Sequence, residues 1–489
     1  MSREDQAAVA PSPTDPRAKG PLFVDMDGTL VATDLLWETA LLFTSRHPLE
    51  AWRIPVWLLG GRPHLKRQLA QRCLPDPATL PYREEVLAFL RSEKRDGRRL
   101  ILATAADERV AASVADHLGI FDETVASNGQ RNLAGHRKLE AIVESCEGEP
   151  FGYMGDSGVD LPVWAKAEDA YVVSQSSALV RRAERVCKPR RVFAKENSGV
   201  GWMLKALRPQ QWIKNILLLV PVFAAHKLGD APLVLQALLA ITCFSACASS
   251  VYVVNDLLDL ESDRQHPRKR LRPFAAGNVS IPVGLVMAIA LLAGGFTAAA
   301  LWLPVRFTLL LGLYFLLSSA YSFFVKRRLL QDVFVLAGLY TLRIIAGGAA
   351  TNVQISPWLL AFALFFFLSL AYLKRYAELL MVSDRNHRQA SGRGYLTEDI
   401  GLIETVGPTS GYLAVMVLCL YLNSTAVIGI YRHPMFLWTL CPLFLYWITR
   451  LWFLARRRIL LDDPLVFAIS DRVSLILGVA TLIVVAASI

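Results

Sequence analysis

The chain has 489 residues and a net charge of +10, and 54% of its residues are hydrophobic. Residues 1–200 carry 27 basic and 28 acidic side chains, whereas the remaining residues carry 25 and 14. This length and asymmetry exclude a single small domain and predict a soluble domain followed by a basic, polytopic membrane domain. The seven cysteines include no CxxC pair, so neither a disulfide framework nor a thiolate metal site is indicated. We expect no nucleic-acid partner.

The first 19 residues are rich in alanine, proline and charged residues and contain no apolar core. This composition predicts a flexible tail (residues 1–19) without a secretory signal peptide. The rest is predicted to form an α/β domain over residues 20–195, a linker over residues 196–211 and an all-α membrane domain over residues 212–489.

Three apolar segments of the α/β domain are predicted to be strands that lead into polar side chains. They cover residues 21–24, 100–103 and 151–154. The side chains beyond their ends are Asp25 and Asp27, then Thr104, then Asp156 and Asp160. Because the carboxyl ends of parallel strands meet at one edge of an open sheet, the pattern predicts a Rossmann-like sheet with an active site along that edge. Residues 34–82 have a helical pattern and are long enough to form a cap over the site.

The succession of DMDGTL, Thr104, Lys138 and GDSGVD resembles the phosphatase branch of the haloacid dehalogenase (HAD) superfamily, over roughly residues 20–195. The resemblance implies that Asp25 is a nucleophile that forms an aspartyl-phosphate, and that Asp27 is the general acid and base. The further roles that it implies are phosphoryl binding by Thr104 and Lys138, and Mg²⁺ binding by Asp25, Asp156 and Asp160. A HAD fold kept only as a regulatory or docking module is the alternative.

Nine apolar segments are predicted to span the membrane, most of them near the ~20 residues that a spanning helix needs. They are residues 212–227, 232–257, 281–303, 307–325, 331–351, 356–378, 405–428, 434–455 and 466–488. Four connections are basic, with clusters in residues 264–272, 326–328, 374–393 and 456–458. Because basic loops stay on the cytoplasmic side, we expect an inner-membrane protein with a cytoplasmic α/β domain and an external C-terminus.

The densest polar pattern follows the second apolar segment, in VNDLLDLESDRQHPRKRLRPFAAGNVS at residues 254–280. Asn255, Asp259 and Asp263 recur every four residues and are predicted to form one stripe on a helix that continues out of the membrane. Basic side chains follow at His266, Arg268, Lys269, Arg270 and Arg272. Carboxylates beside a membrane are costly unless they hold a cation, and basic groups bind phosphate oxygens, so the segment predicts a site for a Mg²⁺-bound diphosphate. An ordinary basic cytoplasmic loop is the alternative.

Residues 205–489 resemble the UbiA prenyltransferase superfamily in this stripe and in the number of apolar segments. The motifs RPQQWIKN (residues 208–215) and LRIIAGGAA (residues 342–350) resemble its decaprenyl-phosphate phosphoribosyltransferase subgroup. In YLKRYAEL (residues 372–379), Lys374 and Arg375 replace an expected second acidic motif, and the spacing from Tyr321 to Lys326 is one residue longer than usual. Fewer acids and more cations fit a donor with an additional phosphate, such as phosphoribosyl diphosphate (PRPP).

The resemblance implies two sets of functional residues in the membrane domain. The first set would hold Mg²⁺ on the donor diphosphate: Asn255, Asp259 and Asp263, with Asp256 off the main stripe in support. The second set comprises the candidates for phosphate binding: Lys214, Lys269, Arg270, Arg272, Lys326, Arg343, Lys374 and Arg375. For Lys214 the alternative is an interfacial anchor, and for Arg343 it is a structural ion pair with Glu378 or another acid.

These features together predict a membrane-bound, Mg²⁺-dependent enzyme of cell-envelope biosynthesis. It would transfer 5-phosphoribose from PRPP to a polyprenyl (decaprenyl) phosphate in the lipid bilayer, and the HAD domain would remove the 5-phosphate of the product. One alternative is a prenyltransferase with a polyprenyl diphosphate donor, an aromatic or small acceptor, and a HAD domain of unrelated specificity. Another is a membrane scaffold or transporter whose α/β domain alone catalyses a reaction.

Overall fold

The computed structural model describes residues 20–194, 199–383, 394–424, 431–460 and 463–488. The chain divides into two compact units: unit 1 contains Met1–Ala206 and Val253–Val286, and unit 2 contains Leu207–Tyr252 and Met287–Ile489. The predicted tail and residues 196–198 of the predicted linker lie outside the described residues. The predicted domain boundaries therefore remain predictions, and unit 1 includes a loop that the sequence analysis assigned to the membrane domain.

Unit 1 contains a six-stranded parallel sheet, which confirms the predicted α/β class. Its strands are β1 (Leu22–Val24), β2 (Leu100–Asp107), β3 (Glu123–Ser127), β4 (Gly152–Gly155), β5 (Asp169–Val173) and β6 (Pro189–Phe193). The strand order is β3-β2-β1-β4-β5-β6. The chain reverses its direction across the sheet at β1, and a crevice at the carboxyl ends of β1 and β4 is therefore the expected ligand position.

Helices cover both faces of this sheet and form the predicted cap. The cap helices are α1 (Leu35–Arg46), α2 (Arg53–Leu59) and α3 (Arg62–Arg72). The others are α4 (Glu84–Arg95), α5 (Glu108–Leu118), α6 (His136–Ser145), α7 (Leu161–Trp164), α8 (Ser177–Glu184) and α9 (Val200–Ala206). The cap has a small apolar core of its own around Phe43, Leu65 and Leu69. Asp34 begins α1, because its side chain accepts a hydrogen bond from the Leu36 N–H at 2.9 Å.

The remaining part of the described chain is helical, as predicted. Its helices are α10 (Val220–Ala224), α11 (Ala231–Leu258), α12 (Leu260–Gln265), α13 (Ile281–Trp302), α14 (Val305–Phe323), α15 (Gln331–Thr351), α16 (Pro357–Ser383), α17 (Ile400–Leu422), α18 (Pro434–Leu437), α19 (Leu440–Arg456), α20 (Pro464–Ser470) and α21 (Arg472–Ser488). Seven segments of the described residues are long and apolar enough to cross a membrane, or eight if α20 and α21, which meet at 87°, form one span. The predicted count of nine is not confirmed, since the first predicted span is a 3₁₀ helix, Pro209–Leu219, followed by the short α10.

Two apolar cores hold unit 2 together and bring the 3₁₀ helix Pro209–Leu219 against α15. One core joins α15, α16, α17 and α19, and the other joins α11, α14 and α15. A Cβ atom at Gly347 would lie 2.1 Å from the carbonyl oxygen of Leu218, so the close approach of α15 requires glycine at that position. The same approach places polar side chains of both helices within hydrogen-bonding distance.

Candidate functional site

The first candidate site lies at the carboxyl ends of β1 and β4 and is referred to as the carboxylate site (Asp25, Asp27, Lys138, Asp156 and Asp160). The Asp25 N–H donates to the Met154 carbonyl at 2.9 Å, which joins the two strand ends. Gly28 has a φ of +73°, and a Cβ atom there would lie 2.2 Å from Asp156 Oδ2. Glycine therefore lets the loop after β1 approach the loop after β4, and the structure brings these predicted side chains together.

Lys138 supplies the positive charge of the carboxylate site. Its Nζ lies 2.9 Å from Asp25 Oδ2 and 3.6 Å from Asp160 Oδ1, and all three side chains are buried. Burial raises the pKa of Asp25, and the Lys138 ammonium opposes this effect. Burial alone would lower the pKa of Lys138, but the charges of Asp25 and Asp160 and the hydrogen bond to Asp25 together outweigh it and hold that pKa above the usual range. The contact therefore places a carboxyl group with a raised pKa beside an ammonium group, at the position where a phosphoryl group would bind.

The carboxylate site has the donor set that Mg²⁺ prefers. One oxygen each from Asp25, Asp156 and Asp160 lies within 4.8 Å of the others, and this is the only such group among the residues that the structure describes. Hard carboxylate oxygens are suitable ligands for this ion. Asp160 also has structural contacts: Oδ1 accepts from the Tyr153 hydroxyl at 2.8 Å, and Oδ2 accepts from the Ser157 N–H at 3.1 Å. The group fits a metal, with one carboxylate oxygen from each of Asp25, Asp156 and Asp160.

Asp27 borders a cavity of about 280 Å³ whose other polar lining includes Thr39, Lys66 and Asp107. The Leu35 N–H donates to Asp27 Oδ1 at 2.9 Å and orients the carboxyl. Loss of water raises the pKa of Asp27 to about 7, and the nearby charge of Asp34 acts in the same direction. A carboxyl with this pKa can carry a proton near neutral pH, as a general acid requires.

Lys66 of cap helix α3 is a site residue that the sequence analysis missed. Its Nζ donates to the Ala105 carbonyl at 2.5 Å and to Asn132 Oδ1 at 3.3 Å. Burial lowers the pKa of Lys66, and Asp27 opposes the effect. Nothing in the local sequence distinguishes Lys66 from the neighbouring Arg67, because only the folding of the cap over the sheet directs one of them into the cavity.

Thr104 is fully buried in β2, at the point where strand pairing becomes irregular. Its Oγ1 accepts a hydrogen bond from the Ala106 N–H at 3.0 Å. The pairing of β2 with β3 shifts between Ala103 and Asp107, although β2 continues to Asp107. The predicted strand end at residue 103 thus coincides with the end of regular pairing and not with the end of the strand.

The second candidate site is the acidic loop of unit 1 (Asn255, Asp256, Asp259, Asp263 and Arg272). The helix interrupts at Asp259, which separates α11 from α12 with φ −96° and ψ 13°. Helical backbone hydrogen bonds continue across the break: the Asp259 N–H donates to the Asn255 carbonyl at 2.9 Å, and the Asp263 N–H donates to the Asp259 carbonyl at 2.8 Å. Arg272 Nη1 lies 3.1 Å from Asp256 Oδ1 and 2.6 Å from Asp263 Oδ2.

Asp256, which the sequence analysis put off the main stripe in a supporting role, shares Arg272 with Asp263. Asp256 and Asp263 are seven residues apart, which is only ~20° short of two helical turns, so both lie on nearly the same helix face. One arginine, Arg272, can therefore contact both. Asn255 and Asp263 are eight residues apart, so on an ideal helix their side chains point about 80° apart around the helix axis. Asp256, Asp259 and Asp263 do not form a three-carboxylate group as tight as the one at Asp25 among the described residues.

The buried carboxylate of Asp263 indicates whether the acidic loop can hold a cation. Burial raises its pKa, and Arg272 opposes the effect. Its Oδ1 is buried and accepts no hydrogen bond from any described residue, and the Lys269 Nζ is 4.0 Å away. A buried carboxylate oxygen of this kind needs a cationic partner, so the loop fits a metal ion or a further basic group. Lys269 and Arg270 lie on a 3₁₀ turn and are exposed, whereas Arg272 is engaged by the two acids.

The third candidate site is a buried cluster in unit 2, referred to as the lysine–aspartate cluster (Lys214, Tyr340, Lys374 and Asp463). Asp463 Oδ2 lies 2.6 Å from Lys214 Nζ and 3.2 Å from Lys374 Nζ. The Tyr340 hydroxyl donates to the same oxygen at 3.2 Å. Lys214 is 6% exposed, so its side chain is not an interfacial anchor. Two predicted phosphate-binding lysines thus meet on one carboxylate that the sequence analysis missed.

Arg343 lies within α15 and is held without a carboxylate partner among the described residues. Its Nε donates to Asn215 Oδ1 at 2.9 Å, its Nη1 to the Leu339 carbonyl at 2.6 Å and its Nη2 to the Tyr314 hydroxyl at 3.1 Å. The guanidinium carbon also lies 4.9 Å from the centre of the Tyr314 ring. The alternative of an ion pair with Glu378 is wrong, because Glu378 pairs with Arg375 instead.

Arg375 belongs to a separate ion-pair group. Its Nε lies 2.5 Å from Asp332 Oδ2, and its Nη2 donates to the Tyr321 hydroxyl at 2.7 Å. Arg375 therefore pairs with Asp332 and Glu378, whereas the ion pair of its neighbour Lys374 is with Asp463. Lys326 is half-buried in the 3₁₀ helix Val325–Arg327.

Asp463 could have been suspected from its local sequence. It precedes Pro464 at the start of an apolar segment, which is a helix N-cap pattern, and its Oδ1 accepts from the Leu465 N–H at 3.2 Å. The pattern predicts a cap, but it contains no information on the two lysines that meet Asp463 in the folded chain.

Comparison with known proteins identifies the two parts of the chain. A family model described as the UbiA prenyltransferase family matches residues 216–470, and one described as haloacid dehalogenase-like hydrolase matches residues 22–164. The chain is therefore an integral membrane enzyme with a hydrolase-type domain at its N-terminal side. It belongs to the UbiA prenyltransferase family.

Three relatives extend this result. The uncharacterized protein y4nM of Sinorhizobium fredii is 38% identical over 464 residues, which cover 94% of this chain and 89% of that protein. Nodulation protein NoeC of Azorhizobium caulinodans is 37% identical over 281 residues, covering 56% of this chain and 90% of NoeC. The decaprenyl-phosphate phosphoribosyltransferase of Mycobacterium tuberculosis is 40% identical over 185 residues, which cover 37% of this chain and 61% of that protein.

Proposed function

We propose that the UbiA-family part of the chain, residues 216–470, transfers 5-phosphoribose from PRPP to a polyprenyl phosphate, and that the HAD domain removes the 5-phosphate of the product. The observation that carries the proposal is the lysine–aspartate cluster. Lys374 stands where an acidic motif was expected after the sixth apolar segment, and it meets Lys214 on Asp463. The name of the mycobacterial relative, decaprenyl-phosphate phosphoribosyltransferase, supports the same donor and acceptor.

The charge of the reactants explains why cations replace acids in this cluster. PRPP carries a diphosphate and a 5-phosphate, and the acceptor adds a third phosphate group. Buried ammonium and guanidinium groups stabilise such charges far better than water-exposed ones, because the surrounding dielectric constant is low. Lys214 and Lys374 can exchange part of their contact with Asp463 for phosphate oxygens, and the Tyr340 hydroxyl can keep Asp463 hydrogen-bonded when they do so.

The acidic loop is proposed to hold the donor diphosphate through Mg²⁺. When bound there, the ion would neutralise the departing diphosphate. Asp263 would offer its buried Oδ1, and Asp259 and Asn255 would complete the ligand set. Arg272 would remain close to the acids and contact phosphate oxygens from the same side. At the reacting carbon, the lipid phosphate oxygen would form the new bond to ribose C1 as the diphosphate leaves with its bonding electrons.

In the HAD domain, Asp25 would attack the phosphorus of the 5-phosphate and form an aspartyl-phosphate. Lys138 compensates the phosphoryl charge at 2.9 Å from the attacking carboxylate, and Mg²⁺ at Asp25 and Asp156 would add to that compensation. Asp27 would give its proton to the ribose oxygen as that bond breaks, and it would then accept a proton from the water that hydrolyses the intermediate. Thr104 would hold a phosphoryl oxygen at the irregular end of β2–β3 pairing.

The orientation proposed with this function places unit 1 in the cytoplasm of an inner-membrane protein. Basic clusters such as Arg456–Arg458 favour that side by the usual charge asymmetry of membrane loops. PRPP, a soluble, highly charged donor, would then reach the acidic loop from the same side. The predicted external C-terminus follows only if the number of spans is odd.

The test uses the full-length protein in nanodiscs with decaprenyl phosphate and PRPP labelled in the ribose ring. The wild type should form a ribosylated lipid and release inorganic phosphate in equal amounts. Asp25→Asn should form the lipid and retain its 5-phosphate, and Asp259→Asn should form no labelled lipid. The absence of any labelled lipid with the wild type would refute the transferase proposal.

Two comparisons separate the proposal from its alternative. In the first comparison, decaprenyl diphosphate replaces PRPP as the donor. Turnover of decaprenyl diphosphate with a small aromatic acceptor would support an ordinary prenyltransferase instead. In the other, EDTA and added Mg²⁺ are compared for each half-reaction, because both sites contain carboxylates suited to this ion. Transfer that continues at full rate in EDTA would contradict the role of the acidic loop.

A further inference from the structure

The cap carries an exposed apolar segment that no part of the proposed chemistry uses. This segment, referred to as the cap tip, is residues 49–59. Leu49 is 86% exposed, Trp52 63% and Leu59 88%, while Val56 and Leu58 are about half exposed. Exposed leucines are common one at a time, but a run that includes a tryptophan forms a continuous apolar surface that marks an interaction site.

The surroundings of the cap tip are strongly basic. Residues 46–72 contain six lysines and arginines and one acidic residue, Glu50. The basic side chains are Arg46, Arg53, Arg62, Lys66, Arg67 and Arg72. Lys66 lines the pocket at Asp27, and Arg46 and Arg53 pair with Glu261 and Glu50. Arg53 lies beside Trp52, with its guanidinium carbon 5.7 Å from the ring centre, and Arg72 lies 4.7 Å from the ring centre of Trp57. An apolar surface with tryptophan and a rim of cations is the composition of segments that rest in the headgroup region of an anionic bilayer.

Contacts within unit 1 join the cap to the segment that follows a helix long and apolar enough to span a membrane. Arg46 at the end of α1 lies 3.1 Å from Glu261 of α12. Glu38 of α1 forms a second, buried ion pair with Arg264, which also lies on α12. A Cβ atom at Gly277 would lie 2.8 Å from Ala32 Cβ, so the loop after α12 also packs against the start of the cap. Because α12 directly follows α11, which is long and apolar enough to span the membrane, the cap is tied to the end of a membrane helix.

We propose that the cap tip inserts into the headgroup region of the membrane that this protein spans, with anionic lipid as its occupant. Trp52, Val56, Leu58 and Leu59 enter the boundary of the acyl chains, while Arg53 and Arg62 contact lipid phosphates. The cap thereby holds the entrance of the carboxylate site at the bilayer surface. A substrate attached to a polyprenyl chain could then reach Asp25 without leaving the membrane, a consequence that rests on the proposed function.

The insertion itself is tested by a spin label at Leu59→Cys in the full-length protein. Cys187 and Cys419 are replaced by serine in this background, because the other five cysteines are buried. The protein is placed in nanodiscs of neutral or anionic lipid, and the label's collision rates with oxygen and with a water-soluble nickel complex are measured. The control is the same label at Val143→Cys, an exposed apolar position of α6 that is 46% exposed.

The proposal expects high oxygen access and low nickel access at position 59, with deeper insertion in anionic lipid, and high nickel access at position 143. Equal nickel access at the two positions would overturn it, since the cap tip would then be in water. Exclusion of both reagents at position 59 would overturn it as well and would indicate a protein partner or a second copy of the chain.

A kinetic comparison then separates insertion from the proposed substrate. Leu59→Ser should raise the KM for the lipid-linked phosphate about tenfold, as expected for one apolar side chain removed from the bilayer, and change turnover of p-nitrophenyl phosphate by less than about twofold. Val143→Ser should change neither. A label that reports lipid together with an unchanged KM would contradict the proposed phosphatase substrate and not the insertion.

Discussion

The proton donor of the HAD domain is the part of the mechanism that can be tested most sharply, through Asp27→Asn. The asparagine keeps the size of the side chain and can accept the Leu35 N–H, but it cannot release a proton. Because the pKa of Asp27 is raised to about 7, a large share of these carboxyls is protonated at pH 6. A positioned general acid contributes about 10²–10⁴ in rate, which corresponds to roughly 3–5 kcal/mol of transition-state stabilisation.

The assay compares two substrates that differ in their need for a proton. The leaving group of ribose 5-phosphate is the sugar alkoxide, which requires protonation, whereas that of p-nitrophenyl phosphate is a stable phenolate. The quantity compared is kcat/KM, because it reports the steps up to formation of the aspartyl-phosphate and not its later hydrolysis. Asp27→Asn should lower kcat/KM by about 10²–10⁴ for the sugar phosphate and by less than about tenfold for the aryl phosphate.

Equal losses for the two substrates would refute the reasoning, because they would mean that Asp27 acts on binding or on the fold of the site. Asp25→Asn is the control and should abolish turnover of both, since it removes the nucleophile itself. A variant at Asp27 that retained full activity on ribose 5-phosphate would assign the proton donor to another group that lines the same cavity.

Three further predictions concern variants that remove buried charged side chains. Asp463→Asn leaves two buried lysines without their carboxylate and should lower stability by about 3–5 kcal/mol, seen as a lower thermal midpoint in detergent, whereas Asp230→Asn at an exposed helix cap should leave the midpoint unchanged. Arg98→Met removes a partner of two buried acids, Glu93 and Asp169, and should lower the free energy of unfolding of the HAD domain, measured by proteolysis, by about 3–5 kcal/mol. The neighbouring Arg99→Met, in an exposed pair, should lower it by at most about 1 kcal/mol. Lys66→Met should lower kcat/KM about tenfold for substrates whose leaving group carries a further phosphate, as the proposed lipid-linked substrate does, and less than twofold for p-nitrophenyl phosphate, and equal losses would argue against a role of Lys66 in leaving-group binding.

Local patterns were sufficient for the class of each domain and for the carboxylate site. Three short apolar segments that led into polar residues predicted a parallel sheet with its site at the strand ends, because that relation depends only on strand direction. Asp25, Asp156 and Asp160 lie together for this reason, whereas the place of Lys138, on helix α6, was implied only by the family resemblance. The all-α character of the second half followed equally from the length of its apolar segments, which must satisfy their own backbone hydrogen bonds. The number of spans did not, because the first segment forms a 3₁₀ helix and the last one bends.

Only the tertiary structure decided which distant charges meet. Asp463 pairs with Lys214, which is 249 positions away in the chain, and Arg375 pairs with Asp332 on a neighbouring helix. Lys66 enters a cavity that exists only when the cap folds over the sheet. A sequence determines helical faces and strand ends through local geometry, whereas the partner of a buried charge depends on how separate helices pack. Since burial of an unpaired charge is costly, that packing selects the pairs, and no local pattern records the choice.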